Sequence, residues 1–356
     1  MKVLVIAGGT GGHIYPALSM AKEFKQIKNE IFWIGKRKSL EEKICNDEGF
    51  NFFPIKATGF LGKGFMSKLK SLYFLFLGFL ICFKYMKDIR PDLIITTGGY
   101  MSLAPGLVGS FFCPLIIHEQ NSVPGLANRI LSTRSTVIFE AFKGAFKRKR
   151  LNASWVGNPV REKISSYKNT KKKLNENFNI LVLGGSQGSK QLNEILCKAF
   201  ENKKTPDSWR ITHQVGKLDT SLLRKSYENS GAKFQIEDFI HDMGKVYSEA
   251  DIIISRAGAM TLSEICELSK PSILLPLPWS ADDHQYKNAL YLQNLGAAIL
   301  IESDLQNSKK LFELLISIEK EHNKRDSMAF AAGKAFPESS SKLIYKKIHE
   351  SLKIQP

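Results

Sequence analysis

Hydrophobic residues along the first 140 positions alternate between short apolar runs rich in β-branched residues and longer stretches with helical spacing. The longer stretches, such as 14–26 and 126–133, predict amphipathic helices. Strands that are apolar throughout and alternate with helices are typical of a parallel sheet covered on both faces. The strands predicted in this half are 3–7, 31–34, 93–97, 115–118 and 136–139.

The same pattern restarts near residue 179, where a strand at 179–183 leads into a helix at 190–201. Two doubly wound α/β domains in tandem are therefore predicted, with the carboxyl ends of their parallel sheets facing across a cleft. We expect the joint near 155–161, and an amphipathic C-terminal helix at about 339–352 after the helix-breaking Pro337. Further strands are predicted at 211–215, 234–236, 251–255, 272–275 and 298–301.

A glycine-rich loop joins the first strand to the first helix in each half of the chain. Residues 8–13 read Gly-Gly-Thr-Gly-Gly-His, and residues 184–189 read Gly-Gly-Ser-Gln-Gly-Ser. Glycines let a ligand approach the backbone, and the helix N-terminus that follows favours an anion. The first loop lacks the Gly-Lys-Ser/Thr ending of a Walker A motif, and no acidic residue closes the strand at 31–34 as in a dinucleotide site. The alternative for the second loop is a tight strand-to-helix turn without a ligand.

Polar residues close other predicted strands, where α/β enzymes place ligand contacts. His-Glu-Gln-Asn at 118–121 and Thr-Gly-Gly-Tyr at 97–100 are of this kind. The segment 255–264 repeats the order of strand, glycine turn and helix start. Glu264 is expected in or near the first helical turn, where it either complements the helix dipole or binds a ribose. The pattern leaves that choice open, and it also leaves open whether His13 is a base or only a helix-start residue.

The sequence predicts neither a bound metal nor a cofactor. Asp-Asp-His-Gln at 282–285 is not accompanied by a cluster of carboxylates or histidines at metal spacing, and no Asp-x-Asp element occurs in the chain. The five cysteines include no C-x-x-C pair, so neither a zinc site nor a disulfide framework is indicated. A reducing cytoplasmic compartment fits this cysteine usage best.

The net charge of +17 favours an anionic partner, which is nucleic acid, an anionic membrane surface or a phosphorylated substrate. Between residues 63 and 90, six basic residues flank an aromatic run at 73–83. The segment is either a core helix with basic ends or an interfacial helix on anionic lipid, and its excess aromatic surface favours the lipid. The apolar run at 71–83 is shorter than the roughly 20 residues of a spanning helix, so a peripheral association is expected.

Seven motifs follow one another along the chain as GGTGGH, GGYMS, HEQNSVPGLANR, GNPVR, GGSQGS, SRAGAMTLSE and DDHQYKNA. In this order they resemble the MurG family of bacterial peptidoglycan glycosyltransferases, and the resemblance covers nearly the whole chain. It implies an α/β GT-B fold with two Rossmann-like domains. It also implies the inverting transfer of N-acetylglucosamine (GlcNAc) from UDP-GlcNAc to the muramyl 4-hydroxyl of lipid I, the undecaprenyl-linked acceptor. The product would be lipid II, a precursor of peptidoglycan.

The resemblance further implies how the chain is divided between its partners. Residues 1–158 would bind the acceptor and the membrane, residues 159–336 would bind UDP-GlcNAc, and residues 337–356 would form a helix that crosses back to the first domain. The enzyme would lie at the cytoplasmic face of the cell membrane as a peripheral protein, without nucleic acid as a partner.

Individual residues also acquire roles from the resemblance. Ile240 would read the uracil through its backbone, and Glu264 would bind the ribose, which selects one of the two interpretations given above. The chain departs from the family pattern where Leu103 and Ala104 precede Pro105, and where His241 replaces a common acidic residue. The remaining substrate contacts are implied at Thr10, Gly11, Gly12, Tyr100, Asn121, Arg161, Ser186, Gln187, Gly188, Ala259, Met260, Thr261 and Gln285.

A single displacement needs a base for the attacking hydroxyl and stabilisation of the departing UDP. His13 is the preferred base because a neutral imidazole accepts a proton near pH 7, and Glu119 is the alternative base or the residue that orients the site. Helix N-termini and Arg161 would stabilise the charge on UDP without a metal.

Two other functions explain the sequence less completely. A sugar-nucleotide epimerase or hydrolase would leave the aromatic-basic segment unexplained, and a non-catalytic membrane adaptor would leave the polar residues at 118–121 unexplained.

Overall fold

The computed structural model describes residues 1–56, 65–146, 153–170 and 177–353, and it describes the backbone alone for 65–75. The chain divides into two compact units. The first consists of Met1–Arg161 together with Pro337–Pro356, and the second of Glu162–Phe336. Lys63 of the basic-aromatic segment lies outside the described residues, as do the side chains of that segment up to residue 75.

Within the described residues, the first unit contains a seven-stranded parallel sheet in the order β3-β2-β1-β4-β5-β6-β7. Its strands are β1 (Lys2–Ile6), β2 (Glu30–Gly35), β3 (Asn51–Pro54), β4 (Leu93–Thr96), β5 (Leu115–Glu119), β6 (Val137–Glu140) and β7 (Ala153–Trp155). Its helices up to the joint are α1 (Gly11–Gln26), α2 (Leu40–Glu48), α3 (Phe65–Ile89), α4 (Leu103–Gly109) and α5 (Leu126–Leu131).

The central strand β1 is covered on both faces, as its continuous apolar run predicts. Val3 and Val5 pack into a core that contains residues of α1, whereas Leu4 and Ile6 pack into a core that contains residues of α3. The predicted strands of this half are confirmed to within one or two residues. The edge strands β3 and β7 were not predicted, because one is a half-buried run ending in Pro54 and the other has only three residues.

Within the described residues, the second unit contains a six-stranded parallel sheet in the order β10-β9-β8-β11-β12-β13. Its strands are β8 (Phe178–Leu183), β9 (Trp209–Gln214), β10 (Lys233–Glu237), β11 (Ile252–Ser255), β12 (Ser272–Leu274) and β13 (Ala298–Leu300). Its helices are α6 (Glu162–Ser165), α7 (Lys190–Phe200), α8 (Ser221–Ser230), α9 (Met243–Glu249), α10 (Ala259–Glu267), α11 (His284–Asn294), α12 (Ser308–Lys320) and α13 (His322–Gly333). The predicted restart of the α/β pattern is confirmed.

The last helix, α14 (Ser340–Leu352), packs on α1 of the first unit. Ile344 and Ile348 are fully buried in the same core as Val3, and each such burial contributes about 1.5–3 kcal/mol. The Phe24 and Tyr345 rings meet edge to face with centroids 5.1 Å apart. The chain therefore leaves the second unit after Phe336 and ends in the first.

Helix α3, with 25 residues, contains the aromatic run singled out in the sequence. Within the described part of the chain, no helix combines the length and apolar character needed to cross a membrane.

Candidate active site

The first glycine loop connects β1 to α1 and is packed tightly against its neighbours. Gly9 has φ +99°, a left-handed conformation that favours glycine. A Cβ at Gly8 would lie 2.8 Å from Oε1 of the buried Glu41, and one at Gly9 would lie 3.4 Å from the Tyr100 ring. Thr10 is extended and forms the N-cap of α1, so the first N–H groups of the helix begin at Gly11. The local backbone thus favours glycine at position 8 through close contact and at position 9 through its conformation.

His13 is held in one orientation by two acceptors. Its Nδ1 lies 2.9 Å from the Thr97 carbonyl oxygen and 3.0 Å from Oε1 of Gln120. Since a carbonyl oxygen only accepts hydrogen bonds, Nδ1 carries the proton and Nε2 of the neutral ring is the acceptor. A Cβ at Gly99 would lie 3.4 Å from Nε2, so the glycine at this position leaves that edge of the ring uncrowded. The arrangement suits a group that accepts a proton from a substrate.

Glu119, at the end of β5, is 2% exposed and its carboxylate is surrounded by donors. Oε1 accepts from the backbone N of Asn121 at 2.9 Å and from its Nδ2 at 3.3 Å. Oε2 accepts from the backbone N of Gly125 at 3.0 Å and from Nδ2 of Asn128 at 2.8 Å. These contacts hold the loop after β5 in place.

Tyr100 and Arg161 both lie beside the first glycine loop. The Tyr100 ring borders Gly9 and is 40% exposed, and burial of the hydroxyl, with a contribution from Glu41, raises the pKa of Tyr100. The Arg161 guanidinium lies 5.0 Å from the centroid of the Tyr15 ring, which itself leans against Gly11. A positive charge is therefore fixed close to the N-terminal turn of α1.

The second glycine loop connects β8 to α7 and rests on the end of β9. Gly188 has φ +77°, and a Cβ there would lie 1.8 Å from the Val215 carbonyl oxygen. Gly216 is equally constrained, since its Cβ would lie 2.4 Å from the Gln187 carbonyl. Ser186 and Gln187 are exposed at the top of this loop. Glycines at both contact points allow the backbone to lie this close to β9 while it presents Ser186 to solvent.

Arg256 supports the second glycine loop from within the protein. The sequence alone assigned this residue no role. It is 8% exposed, and burial lowers its pKa to about 10, so it remains protonated at neutral pH. It donates to the side chains of Ser189, Gln191 and Ser303 and to the carbonyls of Leu275 and Pro276. The signal that could have found it is a basic residue directly after the apolar strand β11.

Glu264 lies at the start of the second turn of α10, near the first turn as expected. The helix begins at Ala259 after the N-cap Gly258, which leaves Glu264 as the sixth helical residue. Its carboxylate is 6% exposed and accepts from the Tyr247 hydroxyl at 3.2 Å. At this depth the helix dipole acts only weakly on it, since the effect is confined to the first turn. The three residues with free helical N–H groups are Ala259, Met260 and Thr261.

Gln214 forms hydrogen bonds with two segments that carry predicted substrate contacts, the loop at Ile240 and the second glycine loop. Its Oε1 accepts from the backbone N of Ile240 at 3.0 Å, and its Nε2 donates to the Gly185 carbonyl at 3.0 Å. The Ile240 N–H is therefore engaged inside the protein, so a contact between Ile240 and a base relies on its carbonyl oxygen. Gln285, the second residue of α11, accepts from the Leu277 N at 3.0 Å.

No group of three or more histidine, cysteine, aspartate or glutamate side chains is placed to hold a metal ion within the described residues. Asp282 and Asp283, the residues considered as ligands, both have left-handed backbones with φ +53° ahead of α11. This strained turn sets the direction in which α11 and Gln285 leave the loop.

Comparison with known proteins decides the family. Residues 3–140 match the glycosyltransferase family 28 N-terminal domain, and residues 179–344 match the glycosyltransferase family 28 C-terminal domain. The chain belongs to glycosyltransferase family 28. Each of the two matched ranges covers most of one unit of this family 28 chain, so it is a glycosyltransferase, and the predicted GT-B fold is confirmed.

Relatives of this family 28 chain carry a specific activity in their names. A UDP-N-acetylglucosamine--N-acetylmuramyl-(pentapeptide) pyrophosphoryl-undecaprenol N-acetylglucosamine transferase of Myxococcus xanthus is 35% identical over 94% of the chain and 88% of the relative. The protein of the same name from Vesicomyosocius okutanii is 38% identical over 92% of each. The crystal structure of Acinetobacter baumannii MurG superposes with a TM-score of 0.80 at 30% identity, covering 98% of the chain and 99% of that structure. The predicted resemblance to the MurG family is confirmed.

Proposed function

We propose that this chain transfers GlcNAc from UDP-GlcNAc to the muramyl 4-hydroxyl of lipid I, with inversion at the anomeric carbon. The observation that carries the proposal is His13, whose Nδ1 proton is held by Thr97 and Gln120 so that Nε2 is the nitrogen left to accept a proton. A single displacement on a sugar nucleotide needs such a base for the acceptor hydroxyl. The names of relatives at 35–38% identity over more than nine-tenths of the chain support the choice of donor and acceptor.

In the proposed reaction, His13 Nε2 accepts the proton of the 4-hydroxyl as its oxygen bonds to the anomeric carbon. The bond from that carbon to the β-phosphate oxygen breaks, and the electron pair leaves with UDP. Glu119 orients the site rather than acting as the base, because four donors already occupy its carboxylate. Thr10 to Gly12, Tyr100 and Asn121 would line the substrates on this unit.

UDP is proposed to bind to the second unit. Ser186, Gln187 and Gly188 would contact the diphosphate at the N-terminus of α7, and the buried charge of Arg256 is hydrogen-bonded to Ser189, the next residue of the loop. Glu264 would accept from the ribose hydroxyls. Fixed donors and charges of this kind stabilise a developing anion without reorganising during the reaction. The remaining contacts on this unit are proposed at Ile240, Ala259, Met260, Thr261 and Gln285, and Arg161 is proposed as a substrate contact on the first unit.

The membrane is proposed as the surface on which lipid I is met, with the protein peripheral at its cytoplasmic face. A set of exposed aromatic and aliphatic side chains on α3 and on the turn after α4 supports this proposal. Two cations lie over rings of this set. Lys87 Nζ is 4.6 Å from the Phe83 ring centroid, and the Arg134 guanidinium is 4.7 Å from the Phe111 ring centroid. Apolar surface ringed by basic residues suits anionic lipid better than nucleic acid. We call these residues the apolar patch, and they are Phe76, Leu80, Phe83, Phe111 and Phe112.

The proposal is tested with UDP-GlcNAc labelled in the sugar, in the presence and absence of a soluble lipid I analogue. We expect label in the acceptor only when the analogue is present, and almost none after His13→Ala, since general base catalysis contributes roughly 100-fold or more. Label released as free sugar, or converted to an epimer without acceptor, would indicate a hydrolase or an epimerase. Binding without any turnover would indicate a nucleotide-binding adaptor. Full turnover by His13→Ala would remove His13 as the base.

A further inference from the structure

Gln120 lies between two histidines and contacts both. It is 2% exposed, and its Oε1 is 3.0 Å from Nδ1 of His13. At the other end of the amide, Nε2 is 3.0 Å from Nδ1 of His118 and 2.9 Å from the His118 carbonyl oxygen. The Gln120 backbone is itself held, because its carbonyl accepts from Nδ2 of Asn158 at 3.1 Å. A buried amide with partners at each end has a defined orientation.

That orientation is dictated by the Gly157 carbonyl. The carbonyl lies 2.9 Å from Nε2 of His118, so Nε2 of this histidine carries the proton and its Nδ1 is an acceptor. Burial lowers the pKa of His118 to about 4, which keeps the ring neutral. An accepting Nδ1 requires the NH₂ end of Gln120 to point at His118, so the oxygen end points at His13. Gly157 has φ +74°, a left-handed backbone that favours glycine.

We propose that Gln120 is a positioning residue that relays this hydrogen-bond chain to His13 and, with the Thr97 carbonyl, sets the basicity and tautomer of the His13 ring. The two histidines are thereby held in opposite tautomers, with the proton on Nδ1 in His13 and on Nε2 in His118. An acceptor on the Nδ1 proton strengthens Nε2 as a base, because it favours the protonated ring. The inference rests on the proposed function of His13.

The titratable groups near His13 in the described residues lie on several elements, and they include Tyr15 and Arg161 beside the N-terminal turn of α1. Glu41 and Tyr100 contact the first loop at Gly8 and Gly9. His118 faces His13 only through Gln120, and the Glu119 carboxylate is directed to the loop after β5. A change at Gln120 leaves Glu41, Tyr100 and Glu119 in place, but it removes the amide donor from Nδ1 and the carbonyl of His118, so the spectrum of His118 is followed in the same variants.

The tautomers are tested directly in the unmodified protein by ¹⁵N–¹H correlation spectra of histidine-labelled enzyme, assigned with His13→Gln and His118→Gln. We expect the Nδ1–H pattern for His13 and the Nε2–H pattern for His118 at neutral pH. An Nε2–H pattern for His13 would overturn the inference. This measurement needs no turnover, so its outcome is independent of whether the proposed transfer reaction is correct.

The relay is tested by two variants with opposite expected effects. Gln120→Glu places a carboxylate against the Nδ1 proton and should move the acid limb of the kcat profile to higher pH by about one unit. Gln120→Met removes the acceptor and should move that limb to lower pH, with kcat reduced about tenfold and the KM for UDP-GlcNAc within about twofold. Gln26→Glu, an exposed change on the same helix as His13, is the control.

A merely structural role would lower activity in both variants without moving the limb in opposite directions, and that result would overturn the inference. If His13→Ala abolishes turnover but neither Gln120 variant moves the acid limb of the kcat profile, the relay is rejected and the proposed base is retained. Retained turnover in His13→Ala would reject the proposed base instead.

Discussion

Arg256 donates to Ser189 Oγ through two of its nitrogens, from Nε at 2.9 Å and from Nη2 at 2.8 Å. Ser189 is at the same time the N-cap of α7, where its Oγ accepts from the backbone N of Leu192. A buried cation is thus attached to the residue that ends the second glycine loop. The acceptors that Arg256 contacts in the described part of the chain are all neutral, so none of them neutralises its charge, which is available to the proposed diphosphate.

Replacing Arg256 should weaken the binding of a diphosphate more than that of a nucleoside. For Arg256→Met we expect UDP affinity to fall about tenfold or more, the value of one or two hydrogen bonds with a charged partner, while uridine affinity changes less than about twofold. Calorimetric titration of both ligands measures the difference. Arg210→Met, at the amino end of β9, is the matched control. Equal losses for UDP and uridine would show that Arg256 only maintains the fold of the unit.

Gln214 should couple the Ile240 loop to the second glycine loop, because one amide bonds to both. In Gln214→Met, the Ile240 N–H loses its buried acceptor, so its hydrogen exchange should accelerate by about tenfold or more. UDP affinity should fall as both loops loosen. Gln235→Met, on the exposed face of β10, should leave both measurements unchanged. Unchanged exchange at Ile240 in Gln214→Met would mean that the bond does not hold the loop.

The contacts of Arg256 and Gln214 explain why the sequence predicted one part of the site and missed another. His13 and the glycine loops stand out because strand, loop and helix are consecutive, so the local pattern contains the geometry. Arg256 meets Ser189 from 67 residues away, and Gln214 meets Gly185 from 29 residues away. No periodicity along the chain records such pairings. They are set by which strands become neighbours in the sheet.

Glu264 shows how closely a motif alone can locate a side chain on a helix. The sequence places it in or near the first turn of α10, and the N-cap Gly258 then decides how many residues separate its carboxylate from the free N–H groups. The central strands were predictable because their apolar runs are continuous. Strands β3 and β7 were not, since short edge strands are half-covered and carry no strong pattern.

Glu119→Gln should destabilise the first unit without moving the pH profile of catalysis. An amide at this position turns an NH₂ group toward donors such as Gly125 N and Asn128 Nδ2, which costs about 1–3 kcal/mol of unfolding free energy. Thermal unfolding and the kcat profile measure the two effects. Glu140→Gln is the matched control, because Glu140 pairs in register with Glu119 and its carboxylate holds Gly144 and Phe146 in the same way. A shifted acid limb in Glu119→Gln would make Glu119 a participant in proton transfer.

Acidification should destabilise the second unit through His213. The side chain is fully buried, and burial lowers its pKa from 6.5 to about 3. Below about pH 6.5, the unfolded chain therefore binds a proton at His213 that the folded chain does not bind. The contribution of His213 to the free energy of unfolding is fully present above that pH and is lost between about pH 6.5 and 3. The loss is on the order of a few kcal/mol. Unfolding midpoints between pH 7.5 and 4.5 should fall less steeply in His213→Phe, whereas the exposed His241→Phe should retain the parental slope.

The apolar patch should carry the association with anionic lipid. Phe76 and Phe111 are 61% and 70% exposed, and their removal takes away apolar area that would enter the bilayer interface. Phe76→Ser with Phe111→Ser should reduce sedimentation with vesicles of phosphatidylglycerol and phosphatidylcholine about tenfold, while transfer to a soluble acceptor analogue is unchanged. Phe330→Ser is the control, because Phe330 is 72% exposed on the second unit, away from these residues in the chain. Charge reversal at Lys87 should weaken binding mainly at low salt, since screening removes its contribution at high salt. Equal vesicle binding by the double variant and the parent would remove the patch as the membrane surface.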